Sequence, residues 1–387
     1  MKTPSVCLWL EVKAMERVNK ILRKQITATF IAILLGFVVA AVILAGTGYN
    51  PFETFSVLFK GIFSKPKYIA NVLIKAMPII ITGVSVSFAF KTGLFNIGAE
   101  GQFIMGTVVA TVVGILTDLP PIIEYPLILI SGMVAGALYG AFVGFLKAKF
   151  GIHEVITGIM LNWIAFYFCN FIISTKAFHQ DNSTSTKLIS ENGFDFIYRW
   201  KKSDAGKEVI LKNDVLKEMI GKTDLNLGIV FAVIIAIIIT IVLTKTCKGY
   251  ELRAVGLNAH AAEFAGINIR KNMIQSMLIA GALCGLAGAL MITGVSHKIS
   301  TLGTFENFGF NGLAVALIAG TSPIGCIFAG LLFAGLLYGG GSVQSIVGAP
   351  SEIINIMIGT IVFLIALVNL IPMICDKLAK RGGENAK

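Results

Sequence analysis

Lys91–Gln102, KTGLFNIGAEGQ, separates two apolar runs, Tyr68–Phe90 and Phe103–Thr117. Its glycines, Gly93, Gly98 and Gly101, loosen the backbone, while Asn96, Glu100 and Gln102 bring polar groups that hydrocarbon cannot satisfy. Irregular backbone at membrane depth survives only where protein buries it or a watery cavity borders it. Two readings follow: a short loop joining two spans, or a broken helix in a translocation route. Glu100 favours the second, because an ionisable side chain beside membrane-spanning runs is a functional candidate by default.

The composition around that stretch is that of a polytopic membrane protein. The 387 residues are 56% hydrophobic and 14% charged, whereas soluble domains carry about a quarter charged residues. Charge-free runs cover 25–52, 101–117, 125–146, 155–175, 225–244, 272–297, 307–351 and 353–375. A span takes about 20 residues at roughly 1.5 Å each, so 307–351 is too long for one. It divides at the turn signal Thr321-Ser-Pro-Ile-Gly325. Tyr68–Phe90 adds one more, its Lys75 long enough to snorkel. The expectation is an all-α polytopic membrane protein of about ten transmembrane helices. They are Ile26–Gly46, 68–90, 103–117, 126–146, 155–175, Leu225–Thr244, Asn272–Gly294, 307–320, 325–341 and 353–372.

Lys and Arg orient those spans. Segments 1–25, 91, 147–149, 245–271 and 377–387 hold eighteen of them. The short loops on the other side hold Lys60, Lys65, Lys67 and Lys298. The positive-inside rule therefore predicts both termini in the cytoplasm and 176–224 outside. The net charge of +11 belongs to membrane orientation, so no nucleic-acid partner is needed to explain it. The chain organises as a tail (1–25), a transmembrane region (26–375) and a second tail (376–387). Residues 1–25 lack a cleavable signal pattern, and Met15 is an alternative start.

Along the chain, Gly132, Gly136, Gly140 and Gly144 recur every four residues and predict a close-packing helix face, as do Gly281, Gly285 and Gly288. Asn162 sits among apolar residues, either as interhelical glue or as a ligand contact. Residues 176–224 read either as a partly helical cap that touches a delivery protein or as a solvated connection. Within them, Gly221-Lys222-Thr223 mimics the end of a P-loop, but Leu216 holds the position of the earlier glycine.

In the loop 245–271, Asn258 is a good N-cap and Gly266 a good C′ residue for a helix of barely two turns. A helix so short and alanine-rich cannot persist alone in water and must dock on something, with Phe264 as an anchor. Resting on lipid headgroups is the alternative, but few basic residues face out to favour it. Further on, Gly309-Phe-Asn-Gly312 echoes Gly98-Ala-Glu-Gly101. With one copy inside and the other outside, this is the pattern of an inverted repeat of spans 2–5 on spans 7–10. The four histidines have no ligand spacing, the six cysteines form no C-x-x-C pair, and no nucleotide-binding or hydrolase motif is present. An enzyme is thus disfavoured.

With those residues in view, roughly residues 26–375 resemble the permease subunits of ABC importers that serve branched-chain amino acids, simple sugars and nucleosides. Gly93-Leu-Phe-Asn-Ile-Gly-Ala-Glu-Gly-Gln102 is similar to the nucleoside-type branch. Ala254–Ile267 is similar to the family's coupling-helix motif, with Ala259 where a proline is usual after the asparagine. The resemblance implies a BtuC-like (type II importer) permease, not an enzyme, in the cell membrane. Its implied partners are a cytoplasmic ABC ATPase that carries the ATP, a homologous or identical second permease, and an external substrate-binding lipoprotein or periplasmic protein.

Under that resemblance, Asn96, Glu100, Gln102, Asn162, Asn307 and Asn311 are expected along the substrate pathway. Arg253, Gly256, Asn258, Ala262, Glu263, Phe264 and Gly266 are expected to couple to the ATPase. An ion-coupled secondary transporter of a small polar solute is the competing reading, since such proteins also use broken helices.

Overall fold

The computed structural model describes residues 25–367, with side chains from Ile31 onward. The two tails and the alternative start at Met15 lie outside these residues. Described residues are helical, joined by turns and two isolated antiparallel bridges. Among the described residues, seven helices are long and apolar enough to cross a membrane, and three shorter apolar helices accompany them.

The chain forms two compact units. The first, over the described residues 25–58 and 340–367, contains α1 (Gln25–Gly46), most of α2 (Pro51–Phe63), the end of α14 (Pro323–Val347) and α15 (Ser351–Ala366). Here α1 lies so near α15 that a β-carbon on Gly36 would stand 3.1 Å from the Ile361 Cα. The segment after the first span is largely helical, with α2 running from Pro51 to Phe63.

The second unit, residues 59–339, holds α3 (Pro66–Phe90), α4 (Ala99–Leu116), α5 (Pro121–Phe150) and α6 (Glu154–Ser174). After a polar excursion come α7 (Phe196–Lys202), α8 (Asp204–Lys212), α9 (Gly228–Lys245), α10 (Cys247–Leu257) and α11 (Ala259–Phe264). Next are α12 (Ile269–Met291), extended by a π turn over Ile292–Ser296, then α13 (Phe308–Ile318) and most of α14. Helix α3 is the most enclosed of the seven candidate spans and α9 the least.

The expected glycine faces meet each other. Gly132, Gly136 and Gly140 of α5 lie against Gly281 and Gly285 of α12, where a β-carbon on Gly136 would stand 2.7 Å from the Gly285 Cα. No side chain fits between these backbones. Lipid tails supply no hydrophobic drive between helices, so contact at this range supplies the dispersion energy that joins them.

Within residues 176–224, expected as a cap or a solvated connection, short helical turns form between 191 and 221. Asp195, Ser203 and Asn213 cap these turns by accepting from Ile197 N, Gly206 N and Val215 N. Backbone bonds pin this stretch to the segment after α12: Thr186 N donates to Ile299 O at 2.8 Å, Thr301 N to Thr184 O at 2.8 Å and Ile189 N to His297 O at 3.0 Å.

Contacts sort the loops of this unit into two ends. Lys91 lies against Gly256 and Thr321, and Lys147 pairs with Glu154, all at one end. Asp118, Ser190, Asn192 and the cap lie at the other.

Candidate functional site

Two half-helices meet inside the second unit. Helix α3 ends at Lys91 because Gly93, at φ +76°, turns the chain, with Leu94 N reaching back to Ala89 O at 3.2 Å. Residues 91–98 are irregular, and helix resumes at Ala99, four residues earlier than the sequence reading. Glu100, Gly101 and Gln102 are therefore helical, and only the first part of the motif forms the break. At the other junction, 297–307 runs without helix from the cap end inward, and α13 spans just Phe308–Ile318. The irregular segments thus precede the two G-x-polar-G motifs, which themselves open α4 and α13 rather than forming the breaks.

A helix start leaves four backbone N–H groups without partners. Neither Gly98 nor Asn307, the residues before α4 and α13, caps its own helix. Each helix borrows its cap. Asn162 Oδ1 of α6 accepts from Gly101 N at 2.8 Å, and its Nδ2 donates to Ile97 O at 3.0 Å. Glu100 of α4 accepts from Asn307 N at 2.8 Å and Gly309 N at 2.6 Å, so its carboxylate faces the positive end of α13. Gly309 permits this, since a β-carbon there would lie 2.6 Å from the Glu100 Cα.

Asn96 and Gln102 close a reciprocal amide pair, at 2.8 and 3.0 Å, across the break. Asn96, Glu100 and Gln102 are fully buried and Asn162 nearly so. The structure brings these four together with Asn307 in one network. Asn307 is exposed and Asn311 half-buried.

Beside the network lies a cleft of about 500 Å³, walled by the irregular segment 298–306, by Phe103 and Thr107 of α4 and by the end of α12. Phe305 stands in its wall, 4.8 Å from the Trp163 ring and 5.1 Å from Phe166. Sequence reasoning passed over Phe305 and Glu306. One signal was available: Glu306 is the only charge between Lys298 and Glu352. No group of three or more metal-ligating side chains occurs among the described residues.

At the cap end, His297 is buried between Phe194 and Tyr198, with centroids 4.2 and 4.4 Å away. Neither ring nitrogen finds a hydrogen-bond partner among the described residues. Burial holds its pKa below the ordinary histidine value.

At the opposite end, α11 forms as expected. Asn258 Oδ1 accepts from Ala261 N at 3.1 Å, and Gly266, at φ +79°, ends the helix. Ala262 is buried, Glu263 is exposed, and Phe264 is 94% exposed, an apolar ring with nothing over it. Gly256 of α10 packs on the Lys91–Gly93 turn, and Arg253 shares a cavity of about 510 Å³ with Lys91 and Thr321.

Residues 68–368 match the family described as "Branched-chain amino acid transport system / permease component". The chain belongs to this family. It is 38% identical over 354 residues to the guanosine ABC transporter permease protein NupP of Bacillus subtilis, covering 92% of this chain and 97% of that one. It is 37% identical over 376 residues to the nucleoside ABC transporter permease protein NupB of Lactococcus lactis, covering 94% and 99%. The glucose ABC transporter permease protein TsgB13 of Haloferax volcanii is 27% identical over 333 residues, covering 84% and 83%. Membership agrees with the resemblance seen in the motifs and makes this chain a permease component, not an enzyme.

Proposed function

We propose that this chain is the membrane permease of an ATP-driven importer for nucleosides. The observation that carries the reading is the junction of two half-helices beside the cleft, in a permease whose relatives are named for guanosine and nucleosides. Polar helix ends inside a membrane protein are where a polar solute finds partners. The route follows the cleft to Asn307 and continues past Asn311. Asn96, Glu100, Gln102 and Asn162 hold the break open in a defined shape, because their own polar atoms are already taken.

The pattern α3–break–α4 runs opposite in direction to α12–irregular segment–α13. This supports an inverted repeat and a ten-span, BtuC-like permease in the cell membrane with both termini in the cytoplasm. The exposed Phe264 and Leu257 beside Arg253, Gly256 and Glu263 suit a cytoplasmic ABC ATPase. A second permease and an external substrate-binding lipoprotein complete the assembly. The test is uptake of tritiated guanosine by vesicles holding this permease, its ATPase and its binding protein. Uptake should require ATP. Accumulation by this chain alone on an ion gradient would favour a secondary transporter instead.

A further inference from the structure

We propose that the cleft bordered by 296–306 is a subsite for an uncharged nucleoside, with Phe305 facing the base and Glu306 accepting from the vicinal hydroxyls of the sugar. The proposal rests on the nucleoside reading above and adds the groups that would recognise it.

Glu306 carries the argument. Its side chain is exposed, lines the cleft, and makes no hydrogen bond or ion pair among the described residues. Its neighbour Asn307 donates its backbone N–H to buried Glu100, so this carboxylate stands one residue from the borrowed cap of α13. Open to the cleft and unpartnered among the described residues, it has both oxygens free to accept from a ligand. Two adjacent hydroxyls suit a carboxylate, which has two oxygens and can accept from both.

The rest of the lining narrows the ligand. Lys298 is the only cation and Glu306 the only carboxylate in it, so the wall has no net charge. A phosphate dianion would meet Glu306 with a single lysine to offset it, which disfavours nucleotides. Ser300 and Thr304 offer hydroxyls that both donate and accept, and Thr301, whose hydroxyl donates to Thr184 O, can still accept. Phe305 is held by Trp163, Phe166 and Phe310, the last at 5.8 Å, so its ring is a fixed platform for stacking. The volume of about 500 Å³ falls within the roughly 300–1,000 Å³ usual for small-molecule sites.

Saturation-transfer difference NMR on the purified permease–ATPase complex, without binding protein, tests this. The probes are guanosine, 2′,3′-dideoxyguanosine and guanosine monophosphate. Guanosine should receive saturation at its base and ribose protons, with the other two about tenfold weaker, the factor expected for losing a charge-assisted hydrogen bond. Glu306→Gln should bring guanosine down to the dideoxy level, and Phe305→Leu should reduce the base signal. Glu306 bonds nothing among the described residues, so the Gln variant should fold normally, which its thermal midpoint checks. Equal binding of guanosine and its dideoxy analogue, or wild-type guanosine binding by both variants, overturns the subsite. If the wild-type importer takes up no guanosine, the transport reading itself fails; uptake with unchanged cleft variants removes the subsite alone.

Discussion

Gly93 and Gly256 lie backbone against backbone: a β-carbon on Gly93 would stand 3.4 Å from the Gly256 Cα. One closes the helix that ends at the break, the other sits in α10 just before α11. A movement of α10 would therefore reach the break directly, and seven residues further on lies the Glu100 cap of α13.

A side chain on Gly256 would strike the Lys91 carbonyl and come 3.0 Å from Gly93 N, separating α10 from the turn. Gly256→Val should leave ATP hydrolysis by the assembled importer within about twofold while uptake per ATP falls on the order of tenfold, equivalent to about 1.4 kcal/mol of lost coupling. Paired ATPase and uptake measurements on one vesicle preparation check this.

Glu100→Ala would strand two backbone N–H groups at the start of α13. Each buried donor left unpaired costs about 1–3 kcal/mol. The thermal midpoint in detergent should drop clearly, and Glu100→Gln, which keeps one acceptor, should fall between Ala and wild type.

Asn162→Leu removes the partner of both Gly101 N and Ile97 O. A similar loss, on the order of 1–3 kcal/mol per group, is expected, with faster amide exchange confined to 97–102. An exchange pattern unchanged there would show that the borrowed cap is dispensable.

Phe264→Asp should abolish co-purification of the ATPase while leaving the permease fold intact. The ring is 94% exposed, and substitutions at such positions usually change stability by no more than about 0.5 kcal/mol.

His297 predicts a pH dependence. Burial depresses its folded pKa below the ordinary 6.5, with Asp224 opposing the shift and Lys201 and Lys202 adding to it. The neutral ring is thus the one the folded cap accepts. Its contribution is complete above about pH 6.5 and is lost as pH falls through the lower folded value. Proteolysis of 184–200 should accelerate between pH 7.5 and 5.5. His297→Asn, which tolerates the φ of +55° there, should flatten that dependence.

How much of this was visible beforehand differs by residue. The α11 helix between Asn258 and Gly266 was legible because capping is local, each signal lying within a few residues of the backbone it serves. The glycine faces were legible as faces, though not as partners of each other. Glu100 stood out as an ionisable group, but its task of capping α13 was hidden, since its acceptors and their donors are two hundred residues apart. Asn162 remained open between glue and ligand for the same reason. Phe305 and Glu306 went unnoticed because an aromatic ring and one carboxylate carry no spacing rule.

Hydropathy and short-range caps were enough to specify a helical membrane protein and the short helix between Asn258 and Gly266, since each depends on a residue and its near neighbours or on the bilayer. Which asparagine completes which broken helix, and which wall of the cleft keeps an unpaired carboxylate, emerged only from folding. Backbone groups freed by a break must find partners wherever packing brings them, and packing joins elements far apart in the chain.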